Sequence, residues 1–221
     1  MDNPDFAELL DSSHRWLILT SSYRGHDSLC VPTLIGGHKN YCVPLSPYPP
    51  TEDQTLNTEF LIRPIETRDD PFVAQLIRDV MPEFNASGPG FAINDPEVDC
   101  MTATYANPRA RYYVVEHAGR ILGAGGFGPL IGGDDSTCEV KKMYFYPAAR
   151  GSGVGSSLLD LILQEAATTR YTNCYLETLE QMAGARRLYE KKGFTYLKAP
   201  MGATGHGGCD RWMQRSLKIE K

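Results

Sequence analysis

Two glycine clusters and one polar loop carry residue types whose spacing could do chemistry. Arg150-Gly151-Ser152-Gly153-Val154-Gly155 puts three glycines into five residues between a strand pattern and a helix pattern. A glycine-lined turn at a helix start leaves several N–H groups unpaired at the positive end of the helix dipole, a natural seat for a diphosphate. The turn lacks the Gly-Lys-[Ser/Thr] ending of a P-loop, and Ser156 stands where a dinucleotide fingerprint needs its third glycine. A plain strand-to-helix turn is the competing reading, but it would not need three glycines. Gly123-Ala124-Gly125-Gly126-Phe127-Gly128 is a literal G-x-G-x-x-G, yet Pro129 and the turn Gly132-Gly133-Asp134-Asp135 follow it instead of a helix. It reads as a glycine-rich strand that another backbone or a ligand approaches closely. In Thr204 to Trp212, His206, Cys209 and Asp210 could suggest a thiol hydrolase, but three catalytic groups so close in sequence seldom converge. His206 and Cys209 are too few for a metal site, and no metal is expected.

These residues need elements to hold them. Phe60 to Ile65 reads as a strand, and Phe72, Val73, Leu76, Ile77 and Val80 have helical spacing over Asp69 to Met81, closed by Pro82. Asn85 to Ile93 is a loop, and Asp95-Pro96-Glu97 looks like a helix start. Tyr112 to Glu116 and Arg120 to Leu122 flank a hairpin turn at His117-Ala118-Gly119. Thr137 to Tyr146 is a strand that Pro147 ends. Beyond the glycine turn, Val154, Leu158, Leu161, Ile162 and Ala166 share one helix face. Cys174 to Leu179 is a strand, Ala183 to Lys192 is a helix stopped by Gly193, and two last strands are expected at Phe194 to Leu197 and Arg211 to Leu217. The order is mixed α/β, with one strand–helix–strand crossover in the middle.

The chain has 221 residues, 42% apolar and 22% charged, the balance of an ordinary globular protein. No apolar run approaches the roughly 18 residues of a membrane span. The net charge of −5 argues against a nucleic-acid partner. Residues 1–58 hold three basic and seven acidic side chains and six of the fifteen prolines. They are expected to form a poorly ordered extension, with the domain proper at 59–221. The remainder holds 19 basic and 20 acidic side chains, so the overall acidity says little about a site within it. Six cysteines without a C-x-x-C pair suggest reduced thiols and a cytoplasmic setting.

In the order and spacing found here, Arg150-x-x-Gly153-x-Gly155 at a helix start and Leu188-Tyr189-Glu190-Lys191-Lys192-Gly193-Phe194 resemble two hallmarks of the GNAT superfamily of N-acetyltransferases. The first is that family's acyl-CoA pyrophosphate motif. The strand end Met143-Tyr144-Phe145-x-Pro147 is also typical, and the likeness covers roughly Phe60 to Leu217. The resemblance implies an α/β (α+β) fold with a mostly antiparallel central sheet, splayed in the middle and flanked by helices. It also implies acetyl-CoA as co-substrate and a small-molecule or peptide amine as acceptor, with direct transfer in a ternary complex. Dimers are common in the family, so a homodimer is one expected state.

Residue by residue, the resemblance implies Glu139 as general base and Tyr189 as proton donor to the departing thiolate. It assigns cofactor contacts to Met143, Tyr144, Phe145, Arg150, Gly151, Ser152, Gly153, Val154, Gly155 and Ser156. Met182 stands where family members often carry an asparagine that contacts the cofactor. Phe84, Phe91, His206 and Asp210 are the expected acceptor-side residues. Strict alternation along the strand would turn Cys138, Val140 and Lys142 one way and Glu139, Lys141 and Met143 the other, so that Glu139 shares a face with the strand end beside the cofactor. Two other classes compete. One is a non-catalytic CoA-binding module of the same fold, against which Glu139 and Tyr189 both being present argues. The other is a Rossmann oxidoreductase using Glu177, which fails on the missing third glycine.

Overall fold

The computed structural model describes residues 59–217 and the backbone of two short strands, β1 (Cys30–Pro32) and β2 (Cys42–Pro44), which pair antiparallel. The chain divides into two compact units, Met1–Pro49 and Pro50–Lys221. The expected disorder of the N-terminal extension concerns residues that otherwise lie outside those described.

The second unit is built on a seven-stranded sheet. Its strands are β3 (Leu61–Pro64), β4 (Arg111–His117), β5 (Arg120–Pro129), β6 (Thr137–Phe145), β7 (Asn173–Thr178), β8 (Thr195–Tyr196) and β9 (Arg211–Ser216). They lie in the order β3-β4-β5-β6-β7-β9-β8. Every neighbouring pair is antiparallel except β6 and β7. That parallel pair needs a crossover, which α3 (Val154–Thr168) supplies.

Both faces of the sheet are covered, so the inner strands are apolar on both sides. On β4, Tyr113 and Val115 join the core beneath α3, where Leu158 and Ile162 are fully buried. Tyr112 and Val114 join the opposite core beneath α1 (Asp70–Val80), with Leu76 and Ile77. The expected helix start at Asp95-Pro96-Glu97 is a single 3-10 turn, Pro96–Asp99, followed by the short α2 (Met101–Thr104). Helix α4 (Ala183–Lys191) ends where Gly193 takes φ +81°. That reversal lets the Phe194 amide donate to the Tyr189 carbonyl at 3.0 Å and sets the two rings edge to face, centroids 5.8 Å apart.

Candidate active site

The site opens where β6 and β7 part. The two strands pair from Thr137–Asn173 to Val140–Leu176, and then β6 runs on to Phe145 without a β7 partner. A bulge marks the same place. Ala124 faces Tyr144 and Gly126 faces Lys141, so Lys142 and Met143 together oppose Gly125. Lys142 takes φ +50°, and its carbonyl accepts the Tyr112 hydroxyl at 2.8 Å.

The bulge corrects the expected alternation. Met143 packs with Cys138 and Val140 on the α3 face, and Tyr144 packs on the α1 face. Lys142 reaches Asp95 at 2.6 Å and Glu97 at 2.5 Å, next to Val98 of the α1-side core. Glu139 therefore shares its side of the sheet with Lys142 and Tyr144, and Met143 has crossed over. Strict alternation fails because the extra residue shifts the parity of everything after it.

At the splay lies a cavity of about 400 Å³. Met143, Tyr144 and Phe145 line it from β6, Arg150, Gly151 and Gly155 from the glycine turn, and Met182 and Tyr189 from the α4 region. Gly151 and Gly153 take φ +77° and +93°, and nothing lies within 4 Å of a Cβ built on either. Among the described residues, the amides of Gly151, Gly153 and Gly155 have no backbone partner. The turn is thus an open cradle of N–H groups at the start of a four-turn helix, and it fits an anionic diphosphate. Ser152 braces it, donating to the Ala149 carbonyl at 2.8 Å and accepting from the Val154 amide at 3.3 Å.

Arg150 is already engaged: it pairs with both carboxylate oxygens of Glu83 at 2.7 and 3.1 Å and donates to the Phe145 carbonyl at 2.8 Å. The G-x-G-x-x-G stretch lies within β5. A Cβ on Gly123 would fall 2.2 Å from the Phe145 ring, and one on Gly126 would fall 2.2 Å from the Arg111 carbonyl. Those glycines make room for neighbouring residues.

A second cavity, of about 70 Å³, shares Met143, Tyr144, Met182 and Tyr189 with the first. Glu139, Glu177, His206 and Phe91 line it. The Glu139 side chain is 3% exposed, and its Oε2 stands 3.4 Å from Lys141 Nζ without hydrogen-bond geometry. Burial lifts the Glu139 pKa, and the Glu177 charge adds to that rise against the opposing pull of Lys141 and His206.

The Glu177 Oε1 accepts from Tyr175 at 2.7 Å and Thr204 at 3.0 Å, while its Oε2 has no hydrogen-bond partner. His206 Nε2 lies 3.0 Å from Asp95 Oδ2, which raises the imidazole pKa. Burial of Asp95 opposes ionisation, but its bonds from His206 and Lys142 prevail and hold it below the usual carboxylate range. Burial pushes the Tyr189 hydroxyl up to about 12, and the Cys209 thiol likewise, so both stay protonated near neutrality. Among the described residues no three His, Cys, Asp or Glu side chains stand where they could hold one metal ion.

The structure thus brings Glu139, Tyr144, Tyr189, Met182, Phe91 and His206 to one place. Two expected acceptor residues are elsewhere. Asp210 accepts from the Glu180 amide at 2.8 Å and lines neither cavity, because the loop turns its carboxylate towards the start of the α4 segment. Phe84 lines the larger cavity, with the Arg150 guanidinium 5.5 Å above its ring and its carbonyl bonded by Gln181. Ser152, Gly153, Val154 and Ser156 shape the turn without lining the cavity wall. Glu177 as an acceptor-side group and the Lys142–Asp95–His206 chain were not foreseen. In the sequence Glu177 drew notice only as the acidic residue of the rejected Rossmann reading; its place two residues beyond Tyr175, which pairs with Glu139, emerges from the fold.

A splayed parallel pair, a glycine turn at a helix start and a tyrosine lining two neighbouring cavities make the arrangement that the resemblance to acyl-CoA-dependent transferases implies. The acetyltransferase (GNAT) domain family matches residues 108–196. The chain is 36% identical over 158 residues to the uncharacterized N-acetyltransferase YjgM of Escherichia coli K12, covering 71% of this chain and 95% of that protein. It is 32% identical over 114 residues to the IAA acetyltransferase of Azospirillum brasilense, covering 52% of this chain and 72% of that protein. Among solved structures, a GNAT-family acetyltransferase of Staphylococcus aureus Mu50 superposes with TM-score 0.63 at 21% identity, over 72% of this chain and 100% of that one. The yncA protein of Salmonella typhimurium, solved with its cofactor acetyl-CoA, gives TM-score 0.59 at 22% identity, over 73% and 95%. The chain belongs to the GNAT superfamily of acetyl-CoA-dependent N-acetyltransferases. Its general activity is the transfer of an acetyl group from acetyl-CoA to an amine.

Proposed function

We propose that this protein acetylates a primary amine by direct attack in a ternary complex, with Glu139 as general base and Tyr189 as donor to the leaving sulfur. The reading rests on one observation: a cavity bounded by the glycine cradle and a cavity holding a buried carboxylate meet at Tyr144 and Tyr189. Acetyl-CoA supplies the activated thioester. The N–H groups around Gly151 to Gly155 hold its diphosphate, and the free edge of β6 beyond Val140 pairs with its pantetheine arm.

Glu139 takes a proton from the incoming ammonium, because only the neutral amine has a lone pair with which to form the new C–N bond. A backbone N–H between Met143 and Phe145 holds the negative charge that builds on the carbonyl oxygen. The C–S bond then breaks, and the second proton shed by the acylated nitrogen passes to the departing sulfur, giving the amide and the CoA thiol. Tyr189, with its hydroxyl near 12, is a weaker acid than an ordinary thiol at about 8.5, so it steadies the departing sulfur chiefly as a hydrogen-bond donor. Calorimetry should find acetyl-CoA binding to the purified chain, and a thiol-release screen across amine classes should find turnover. Binding without turnover of any amine would favour the non-catalytic module, and absence of binding would reject both.

A further inference from the structure

The acceptor cavity contains more carboxylate than acetyl transfer requires. Glu139 and Glu177 are 3% and 4% exposed, come from the two strands that part, and each carries an Oε2 with no hydrogen bond. Their cationic neighbours are mostly engaged. Lys142 is held by Asp95 and Glu97, Lys141 stands by Glu139, and among the described residues His206 is the one cation that approaches Glu177, at 3.9 Å. The Glu177 Oε1 is fixed by Tyr175 and Thr204, so its free oxygen is held in place. A buried carboxylate oxygen without a hydrogen bond is costly, and here two of them line one small space, each with a single cation near it.

Resting on the acetyl-transfer reading above, we propose that Glu139 and Glu177 form a two-carboxylate clamp for a primary alkylammonium, in which Glu177 binds the cation and Glu139 takes its proton. An ammonium offers three N–H donors, enough to satisfy both free oxygens at once. One proton passes to Glu139, and the nitrogen lone pair is freed for attack. One part of the cavity wall suits a carbon chain, where Met81, Ala86, Phe91 and Ala92 line it, while Lys141, Lys142 and His206 line another part. Its volume of about 70 Å³ leaves room for a short alkyl group. An α-amino acid would bring its own carboxylate beside this pair, a like-charge contact that disfavours binding. The clamp therefore selects amines with no anionic group on the carbon bearing the nitrogen.

A matched pair tests this directly. n-Butylamine and norvaline differ only by the α-carboxylate, and each is titrated calorimetrically into the free and the CoA-loaded protein. Butylamine should bind at least about tenfold more tightly than norvaline, and Glu177→Gln should remove about tenfold of the butylamine affinity while Glu177→Asp retains part of it. Equal or tighter binding of norvaline, or unchanged butylamine binding in Glu177→Gln, overturns the clamp. The wild-type ratio needs no variant, so a folding defect in Glu177→Gln leaves the test intact. The readout is binding and does not depend on turnover, so failure of acetyl transfer and failure of the clamp are separate results.

Discussion

The two cavities that meet at Tyr189 are built in opposite ways. The larger one is framed on one side by backbone, a free strand edge and a turn whose glycines present N–H groups in the run from Met143 to Gly155, and on the other by the segment from Met182 to Tyr189. The smaller one takes its polarity from charged side chains carried by β6, β7 and the 201–208 loop, steadied by Asp95 from the α1 side. A backbone site gains its affinity from conformation and tolerates little change in that conformation. A side-chain site gains it from electrostatic balance, which can be moved by degrees. Substitutions on the two sides should therefore separate cleanly, one affecting cofactor binding and the other chemistry.

The largest separation is expected from Glu139→Gln. Loss of a general base commonly costs about 10²–10⁴ in rate, so kcat should fall by about that factor while calorimetry gives an unchanged Kd for acetyl-CoA. A matching loss of acetyl-CoA affinity would mean that the two cavities are one electrostatic unit. On the opposite side, Gly153→Glu forces a side chain onto φ +93° and puts a carboxylate beside the diphosphate seat. Strain of about 1–2 kcal/mol plus like-charge repulsion should weaken acetyl-CoA binding by at least about 100-fold. Gly153→Ala, carrying the strain alone, should lose much less. Equal losses in the two variants would assign the effect to backbone conformation rather than to an anion at the cradle.

The same contrast explains what could be read from the sequence. Most of the cofactor side lies in two short runs of chain, so its glycines, its helix start and the strand ahead of it were visible as a pattern, and so was the Leu188 to Phe194 motif. The succession of elements along the chain and the crossover followed from periodicity, while the splayed, mostly antiparallel sheet followed from the family resemblance. The acceptor side has no such contiguity: Asp95, Glu177 and His206 meet only because the strands part and the 201–208 loop folds over. The bulge at Lys142 left no signal either, since an αL lysine becomes legible only when Tyr112 is seen to accommodate its carbonyl. That one residue moved Met143 to the other face. Asp210, close in sequence to His206, was drawn by its neighbours to a backbone amide instead.

Tyr189 belongs to both cavities, so Tyr189→Phe probes the junction. The ring is buried against Phe194, and phenylalanine keeps that packing. With only the hydroxyl lost, kcat should drop by about tenfold, the worth of one hydrogen bond to a charged group, and the apparent acetyl-CoA affinity should stay within about twofold. An unchanged rate would remove the phenol from the reaction and leave Tyr189 as a packing residue.

The smallest effect should come from Lys141→Met, and it tests whether the acceptor side can be tuned by degrees. Glu139 is raised by burial and by the Glu177 charge, and lowered by Lys141 and His206, with the rise prevailing. Catalysis needs the ionised base, so kcat/KM should climb with pH as Glu139 loses its proton. Removing the ammonium 3.4 Å away takes away a group that favours ionisation. The carboxyl then keeps its proton to higher pH, and the ascending limb should move up by about one pH unit or less, with little change in the plateau. Glu177→Gln should move the same limb the other way. His206 titrates in the same cavity with its own pKa raised by Asp95, but loss of its proton follows Asp95: Asp95→Asn should shift any histidine-dependent limb downward. A limb that answers to Lys141 and Glu177 in opposite directions belongs to Glu139, and one that answers only to Asp95 would transfer the base role to His206.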